Sequence, residues 1–118
     1  MRNFQELEIW KKSHNLCISI YKATRNFPKD ELYGLISQLR RSGSSIPTNI
    51  AEGCGRNSNP DLRRFLTISA GSCSELQYQL LLSRDLNYLD PEQYKDLNKA
   101  VIEIRKMIFA FIQNMVST

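Results

Sequence analysis

Histidine and cysteine are scarce in this chain: of its 118 residues, one is histidine and three are cysteine. Metal sites in helical proteins need several such ligands at fixed spacings, and neither Glu-x-x-His nor Cys-x-x-Cys occurs in the sequence. We therefore predict no metal and no cofactor. Cys17, Cys54 and Cys73 are odd in number and far apart, which is typical of reduced thiols in a cytoplasm rather than of a disulfide framework.

Long apolar runs are also missing, and no stretch of the sequence is long enough to span a bilayer. The amino terminus, MRNFQELEIW, has acidic residues where a signal peptide needs an apolar core, so we do not expect secretion. The length predicts a single domain over residues 1–118. Together these features predict a cytoplasmic protein that does not contact a membrane.

Catalytic constellations are equally rare. The pairing of a nucleophile with a base is limited to His14 and Cys17, and we interpret these as an incidental histidine beside a core cysteine. Gly53-Cys54-Gly55 has half the pattern of a phosphate loop, but no strand precedes it and no lysine follows in register, which favours a helix end. We therefore predict that the chain is not an enzyme and has no small-molecule substrate.

What the sequence does contain is helical periodicity, without the alternation that is typical of strands. Four amphipathic segments with short connections predict an all-α fold, an antiparallel up-down-up-down four-helix bundle. The first helix is predicted from about Gln5 to Asn26, because the residue before Pro28 avoids helical geometry. Its predicted inward stripe is Leu7, Trp10, Cys17, Ile20 (or Tyr21) and Thr24, flanked by Ile9 and Leu16.

The second helix is predicted within the stretch from Tyr33 to Arg56, with an apolar face formed by Leu32, Leu35, Leu39, Ile46 and Ile50. Pro47 normally breaks a helix through a clash with the carbonyl four residues back, but that residue is Gly43. We therefore predict a kinked, continuous helix; a break near Ser44 or Ser45 is the alternative. Gly53 and Gly55 are predicted to end this helix in the left-handed conformation.

The third helix is predicted to begin at Asn59-Pro60-Asp61, with Asn59 as its cap, and to end near Asn87. Its small middle, Ser69-Ala70-Gly71-Ser72, is expected to approach the second helix closely. The predicted inward residues are Leu62, Phe65 (or Leu66), Ser69, Cys73 (or Ser72), Leu76 and Leu80.

The fourth helix is predicted to begin with a capping box of Asp90 and Gln93. Its apolar seam is Tyr94, Leu97, Val101, Ile104, Ile108, Phe111 and Met115. A second apolar stripe lies beside the seam and consists of Ile102, Phe109, Ile112 and Val116. This stripe is either part of a wide core face or a subunit interface, and periodicity alone favours neither.

A polar face on the second helix provides a candidate for buried hydrogen bonding. It consists of Gln38, Arg41, Ser45, Asn49 and Glu52. These side chains are predicted to meet Glu75 or Gln77 of the third helix in a polar layer that fixes helix register. An acid–base site is the alternative, and the lack of a histidine or a second close carboxylate disfavours it.

Basic residues are the remaining signal, since a net charge of +4 permits nucleic-acid binding. The candidates for contacts with RNA phosphates are Lys11, Lys12, Arg40, Arg41, Arg56, Arg63 and Arg64. Arg56, Arg63 and Arg64 are expected around one loop, between the second and third helices. The alternative is that these charges form an ordinary solvated surface.

Several short segments occur in a recognisable order: ELEIW, FP, YGL, SQLRRS, SIPTNIAEGCGR, FL, AGS and SELQ. From Phe4 to about Leu89 the chain resembles the bacterial four-helix-bundle proteins encoded in intervening sequences of 23S ribosomal RNA. More distantly it is similar to the accessory protein of diversity-generating retroelements, which partners a reverse transcriptase. The resemblance marks, without assigning a role, Gln38, Arg40, Arg41, Ser45, Asn49, Glu52, Arg56 and Glu75.

The resemblance implies a cytoplasmic bacterial homopentamer with a link to RNA or to a nucleic-acid-processing protein, and it brings no catalytic residue. Two functional hypotheses follow. In the first, the chain is a non-enzymatic oligomer that binds ribosomal or other RNA through its basic patches. In the second, it is a protein-interaction scaffold that uses the polar face of the second helix or the second apolar stripe of the fourth.

Overall fold

The computed structural model describes residues 2–115, and helices account for most of them. A short 3₁₀ helix, Phe4–Glu6, precedes α1, Glu8–Thr24, and a second 3₁₀ helix, Lys29–Glu31, precedes α2, Leu35–Cys54. Then follow α3, Asn59–Asp85, and α4, Pro91–Gln113. No strand occurs within the described range, so the predicted all-α, four-helix fold is confirmed.

The helices pack around one hydrophobic core, with each helix against its neighbours in the chain and α1 also against α4. At one end of the bundle the Phe27 ring lies 5.3 Å from the Tyr88 ring, which joins the α1–α2 and α3–α4 connections. At the other end the Arg2 N–H donates to the Cys54 carbonyl at 3.0 Å, and the Arg2 guanidinium lies over the Phe111 ring. These contacts are consistent with the predicted up-down-up-down order.

The inward face of α1 is shifted from the predicted stripe. Leu7, Trp10 and Cys17 are only half-buried, and Tyr21 is exposed. Ser13 is part of the observed inward face, and its hydroxyl can be buried there because it donates a hydrogen bond to the Trp10 carbonyl at 3.0 Å. A search for apolar residues at helical spacing does not find a buried serine of this kind. The buried residues of α1 are Ile9, Ser13, Leu16, Ile20 and Thr24.

The second helix runs unbroken through Pro47, as the continuous-helix interpretation predicted. Gly43, four residues before the proline, is buried, and a Cβ placed on it would lie 3.5 Å from Ile20 of α1. Leu32 falls outside α2 and is half exposed, so its predicted place on the apolar face is wrong. The remaining predicted core residues, Leu35, Leu39, Ile46 and Ile50, are all buried.

The glycines that end α2 do so differently from the prediction. Gly55 caps the helix with φ −81°, and no glycine within residues 2–115 has a positive φ, so the predicted left-handed ending is wrong. Gly53 lies inside the last turn, where α3 passes very close. A Cβ at Gly53 would lie 3.0 Å from both Leu62 and Phe65. Its role is therefore to permit close helix packing.

The starts of α3 and α4 follow the predicted capping chemistry, with one shift. Ser58, not Asn59, caps α3, because its hydroxyl accepts the Asp61 N–H at 3.2 Å. On α4 the capping box is confirmed: Asp90 Oδ1 accepts the Gln93 N–H at 2.8 Å, and Gln93 Oε1 accepts the Asp90 N–H at 3.2 Å. On α3, Leu66 rather than Phe65 enters the hydrophobic core of the bundle.

The apolar seam of α4 is buried at its centre and half-buried at both ends. Leu97, Val101, Ile104 and Ile108 are buried. In the second stripe, Ile102 and Ile112 are half-buried and Phe109 is 47% exposed, while Val116 lies outside the described residues. No helix of the described range is long and apolar enough to cross a membrane.

Candidate nucleic-acid interface

A polar layer does join α2 to α3, but it is built mostly from serines. Ser42 donates to Gln79 Oε1 at 2.6 Å, and the Ser45 and Ser72 hydroxyl oxygens lie 2.8 Å apart. Ser69 Oγ donates to the Ile46 carbonyl of α2 at 2.9 Å. A side chain this short reaches a neighbouring helix's backbone only where the two helices approach closely. The predicted close approach of the small-residue segments is therefore confirmed.

Of the residues predicted for this layer, the structure brings in Ser45 and Asn49. The Asn49 amide donates to the Ser45 carbonyl at 2.8 Å and to its hydroxyl at 2.9 Å. Gln38, Glu52 and Glu75 are exposed and lie outside the buried layer. These three long side chains reach water from the flank of the helix pair, whereas the residues of the layer face the other helix.

The two remaining candidates for the layer also point elsewhere. Arg41 is exposed, and Gln77 accepts a hydrogen bond from Arg105 of α4 at 2.6 Å rather than from α2. Ser42 and Gln79 were missed, whereas Ser69 and Ser72 were predicted to face inward but not to join the polar layer. The available signal was the three-residue spacing of Ser42 with Ser45 and of Ser69 with Ser72.

Two of the predicted basic residues, Arg56 and Arg64, gather where α2 ends and α3 begins, and we call them, with Phe65, the Phe65 cluster. Arg63 lies beside them in the first turns of α3, but its side chain does not contact the Phe65 ring. The Arg56 and Arg64 guanidinium carbons lie 4.9 and 4.5 Å from the centre of the Phe65 ring. Arg56 also contacts Glu52 at 3.5 Å, and Arg64 approaches Asp61 at 3.9 Å. The predicted grouping around one loop is thus present for Arg56 and Arg64.

Arg40 and Arg41 lie elsewhere on α2, 13 residues or more before its end at Cys54, which is about 20 Å of helix. Arg40 is held in place: its Nε donates to Thr24 Oγ1 at 2.9 Å, and its guanidinium lies 4.7 Å from the Tyr21 ring centre. Arg41 is exposed, and its guanidinium makes no hydrogen bond or ion pair with any residue from 2 to 115, although its carbonyl accepts from the Ser44 hydroxyl at 3.2 Å.

A shallow groove of about 420 Å³ lies beside these arginines, and we call it the Tyr33 groove. Its lining includes Tyr21, Leu32, Tyr33, Ile36, Arg40 and Arg41. Tyr33 is 93% exposed. The Tyr33 groove and the Phe65 cluster are therefore two separate basic surfaces on the molecule.

Lys11 and Lys12 lie on α1, apart from both surfaces. Lys11 contacts Glu8 at 3.5 Å, and Lys12 reaches across to Glu103 of α4 at 3.1 Å. These lysines are each about half exposed, so the ion pairs contribute little to stability. The seven predicted basic residues do not form one continuous patch on a single chain.

The residues considered for catalysis make structural contacts. The His14 ring stacks on Trp10 with a centroid distance of 4.8 Å and an interplanar angle of 8°. Burial raises the pKa of the Cys17 thiol, and it also raises the pKa of Cys54 despite the opposing charge of Arg2. Burial raises the pKa of Cys73 to about 12. Among the described residues, no group of three or more His, Cys, Asp or Glu side chains is placed to hold a metal.

The fold and these surfaces define a basic four-helix-bundle protein. The family model described as 23S rRNA-intervening sequence protein matches residues 5–110, and the chain belongs to that family. It is also similar to a crystal structure of a protein of unknown function from the S23 ribosomal protein family of Bacteroides thetaiotaomicron VPI-5482. The TM-score is 0.81 at 29% sequence identity, over 90% of this chain and 99% of the other. No curated protein matches the chain.

Proposed function

We propose that this protein is a non-enzymatic, cytoplasmic homo-oligomer that binds RNA through its basic surfaces. The observation that carries the proposal is the pairing of arginines with surface aromatic rings. Arg56 and Arg64 lie against Phe65, and Arg40 lies against Tyr21. A guanidinium supported by a ring loses less freedom when it binds a phosphate, and its planar fork matches phosphate oxygens.

The ion pairs at the Phe65 cluster do not oppose this function. Arg56 and its partner Glu52 are about half exposed, as are Arg64 and Asp61. Exposed pairs of this kind contribute about 0–1 kcal/mol and are screened by salt. A phosphate can therefore take the place of the carboxylate at little cost. The family name directs the first tests to ribosomal RNA.

Assembly would repeat each basic surface and sum their electrostatic attraction for RNA. The half-exposed Phe109 supports a subunit interface on α4, because the second apolar stripe is not fully buried within one chain. Five subunits are proposed from the family resemblance.

The second candidate is a protein-interaction scaffold without nucleic-acid contact. It is favoured by large apolar side chains exposed on α3, where Ile68 is 43% and Tyr78 is 61% exposed. Exposed aromatic and aliphatic side chains are typical anchors for a protein partner.

The test is RNA binding measured against salt concentration. For the wild type, the logarithm of affinity should fall linearly with the logarithm of salt. Arg56→Gln/Arg64→Gln should reduce the slope by about 1.4, since each single-strand phosphate contact contributes about 0.7. Lys95→Gln/Lys99→Gln on α4 is the charge-matched control, because both lysines are exposed and outside both basic surfaces. If both variants reduce the slope equally, RNA binding depends on the net charge of the protein rather than on the Phe65 cluster.

A further inference from the structure

The Tyr33 groove combines an unsupported aromatic ring with an unpaired cation. Tyr33 lies in the turn before α2 and is 93% exposed, whereas a tyrosine usually buries much of its ring. The guanidinium of Arg41, on the same groove, makes no hydrogen bond or ion pair with any residue the structure describes. The groove thus offers a stacking surface and a guanidinium that the fold itself does not use.

The electrostatic environment of the groove is positive. No carboxylate lines it. Glu31, which lies two residues before Tyr33, is outside the lining: its Oε1 accepts the Leu35 N–H at 3.2 Å and its Oε2 accepts the Tyr88 hydroxyl at 2.9 Å. Arg40 adds a second positive charge, held by Thr24 at 2.9 Å and by the Tyr21 carbonyl at 3.3 Å. The groove is therefore complementary to an anionic ligand.

We propose that the Tyr33 groove binds single-stranded RNA, with a base stacked on Tyr33 and a backbone phosphate on Arg41. This inference rests on the proposed RNA-binding function and specifies which form of RNA is bound and where. Aromatic side chains beside a basic groove are how proteins hold unpaired strands, since every base has a face that stacks. Bases in a duplex are already stacked on each other and are closed to Tyr33.

A second copy of this chain related by a two-fold axis is a poorer occupant of the groove. A symmetric contact through this surface would bring Arg41 and Arg40 of one chain against the same arginines of the other, with no lining carboxylate between them. Like charges brought together at an interface are unfavourable. The polar and cationic lining, with Ser37 and Ser44 beside the arginines, also suits a sugar–phosphate backbone.

The experiment compares two probes by fluorescence anisotropy. One is a fluorescein-labelled, mixed-sequence single strand of about 12 nucleotides, within the site sizes of single-strand binders. The other is the same strand annealed to its complement. Tyr33→Ala should weaken binding of the single strand roughly ten-fold, as expected for loss of one stacked base, and leave duplex binding unchanged. Tyr33→Phe should bind both probes like the wild type.

Two further variants separate stacking from charge. Tyr78→Ala removes another exposed tyrosine, 61% exposed on α3, and should bind like the wild type. Arg41→Gln should lower the salt dependence for the single strand by about 0.7 of a slope unit. Because both Tyr33 and Arg41 are exposed, these variants should retain the wild-type circular dichroism spectrum and thermal midpoint.

Three results would overturn the inference. If the wild type binds RNA and Tyr33→Ala binds the single strand equally well, Tyr33 is not the stacking site, although the proposed function stands. If Tyr33→Ala loses single strand and duplex alike, or lowers the solution mass, the surface serves another role, such as contact with a second copy. If the wild type binds neither probe at low salt, both the inference and the proposed function fail.

Discussion

The Ser42 hydroxyl of α2 donates a hydrogen bond to Gln79 Oε1 of α3 at 2.6 Å. Both residues are buried, with only 1% of Ser42 and 5% of Gln79 exposed. The apolar contacts between the two helices tolerate small sliding movements. A short, buried hydrogen bond does not, because slippage leaves a polar atom without a partner. This pair therefore fixes the register of α2 on α3.

Ser42→Ala is expected to lower the free energy of unfolding by about 1–3 kcal/mol, since Gln79 Oε1 is then buried without its donor. Ser42→Ala/Gln79→Leu should recover part of that loss, because neither polar group remains. Urea denaturation of the two single variants and the double variant gives the coupling energy. Strictly additive losses would mean that the hydrogen bond does not couple the two positions.

Glycine substitutions should separate close packing from helix propensity. Gly53→Ala places a methyl 3.0 Å from Leu62 and Phe65 and 3.3 Å from the Leu62 carbonyl oxygen. We expect it to reduce the free energy of unfolding by roughly 1–3 kcal/mol, because the crowding outweighs the gain in helix propensity. Thermal and urea denaturation measure the change.

Gly71→Ala is the matched control, because no atom of the surrounding structure lies within 4 Å of its Cβ position. There the change should stabilise α3 by up to about 1 kcal/mol through helix propensity alone. Stabilisation of Gly53→Ala by a similar amount would contradict the close approach of α2 and α3 at that point.

The sequence allowed the elements to be predicted well, because they depend on local chemistry. Pro47 stays inside α2, and Asp90 and Gln93 form the capping box, as the sequence indicated. The α1 stripe was misplaced because Ser13 is buried through a bond to its own helix, which an apolar pattern does not register. Capping by Ser58 instead of Asn59 is a choice between adjacent residues of equal preference.

The candidate site was harder to predict, since it depends on which helix faces meet. The grouping of Arg56 and Arg64 followed from the short loop between α2 and α3, but their contact with Phe65 did not. Tyr33 carries no periodic signal, because it lies in the turn before α2. Its exposure, and its position beside Arg41, depend on how α1 and α2 pack.

The Cys73 thiol should make stability fall in alkaline solution. Burial raises the pKa of Cys73 from 9.0 to about 12, so the folded state keeps a proton that the unfolded chain loses near pH 9. The thiol's contribution is fully present below pH 9.0 and is lost as pH rises toward about 12. The expected slope is at most about 1.4 kcal/mol per pH unit.

Urea denaturation at a series of pH values tests this, with Cys73→Ala expected to show a shallower alkaline decline than the wild type. Tyr88→Phe is a useful comparison. The hydrogen bond to Glu31 raises the pKa of Tyr88 above its ordinary value of 10.0, so this hydroxyl also makes stability fall as the pH rises above 10.0. Identical pH profiles for Cys73→Ala and the wild type would contradict a buried, protonated thiol.

Phe109 is the residue on which we expect assembly to depend. It is 47% exposed on the second apolar stripe of α4, although the half-buried Ile102 and Ile112 continue the same stripe. If the stripe is a subunit interface, a charge at its centre must be desolvated without a partner. Phe109→Asp should therefore reduce the solution mass of the oligomer, as measured by light scattering, while leaving helix content unchanged.

The control is Tyr78→Asp, which introduces the same charge at an exposed aromatic position on α3 and should leave the mass unaltered. The mass should be compared at low and high salt, because an apolar interface persists where screened electrostatic contacts weaken. If the wild-type oligomer gains mass when an RNA pool is added at low salt and loses that gain at high salt, the assembled form binds RNA electrostatically. If Phe109→Asp keeps the solution mass of the wild type, the stripe is part of a wide core face within one chain, and any subunit interface must lie on another face.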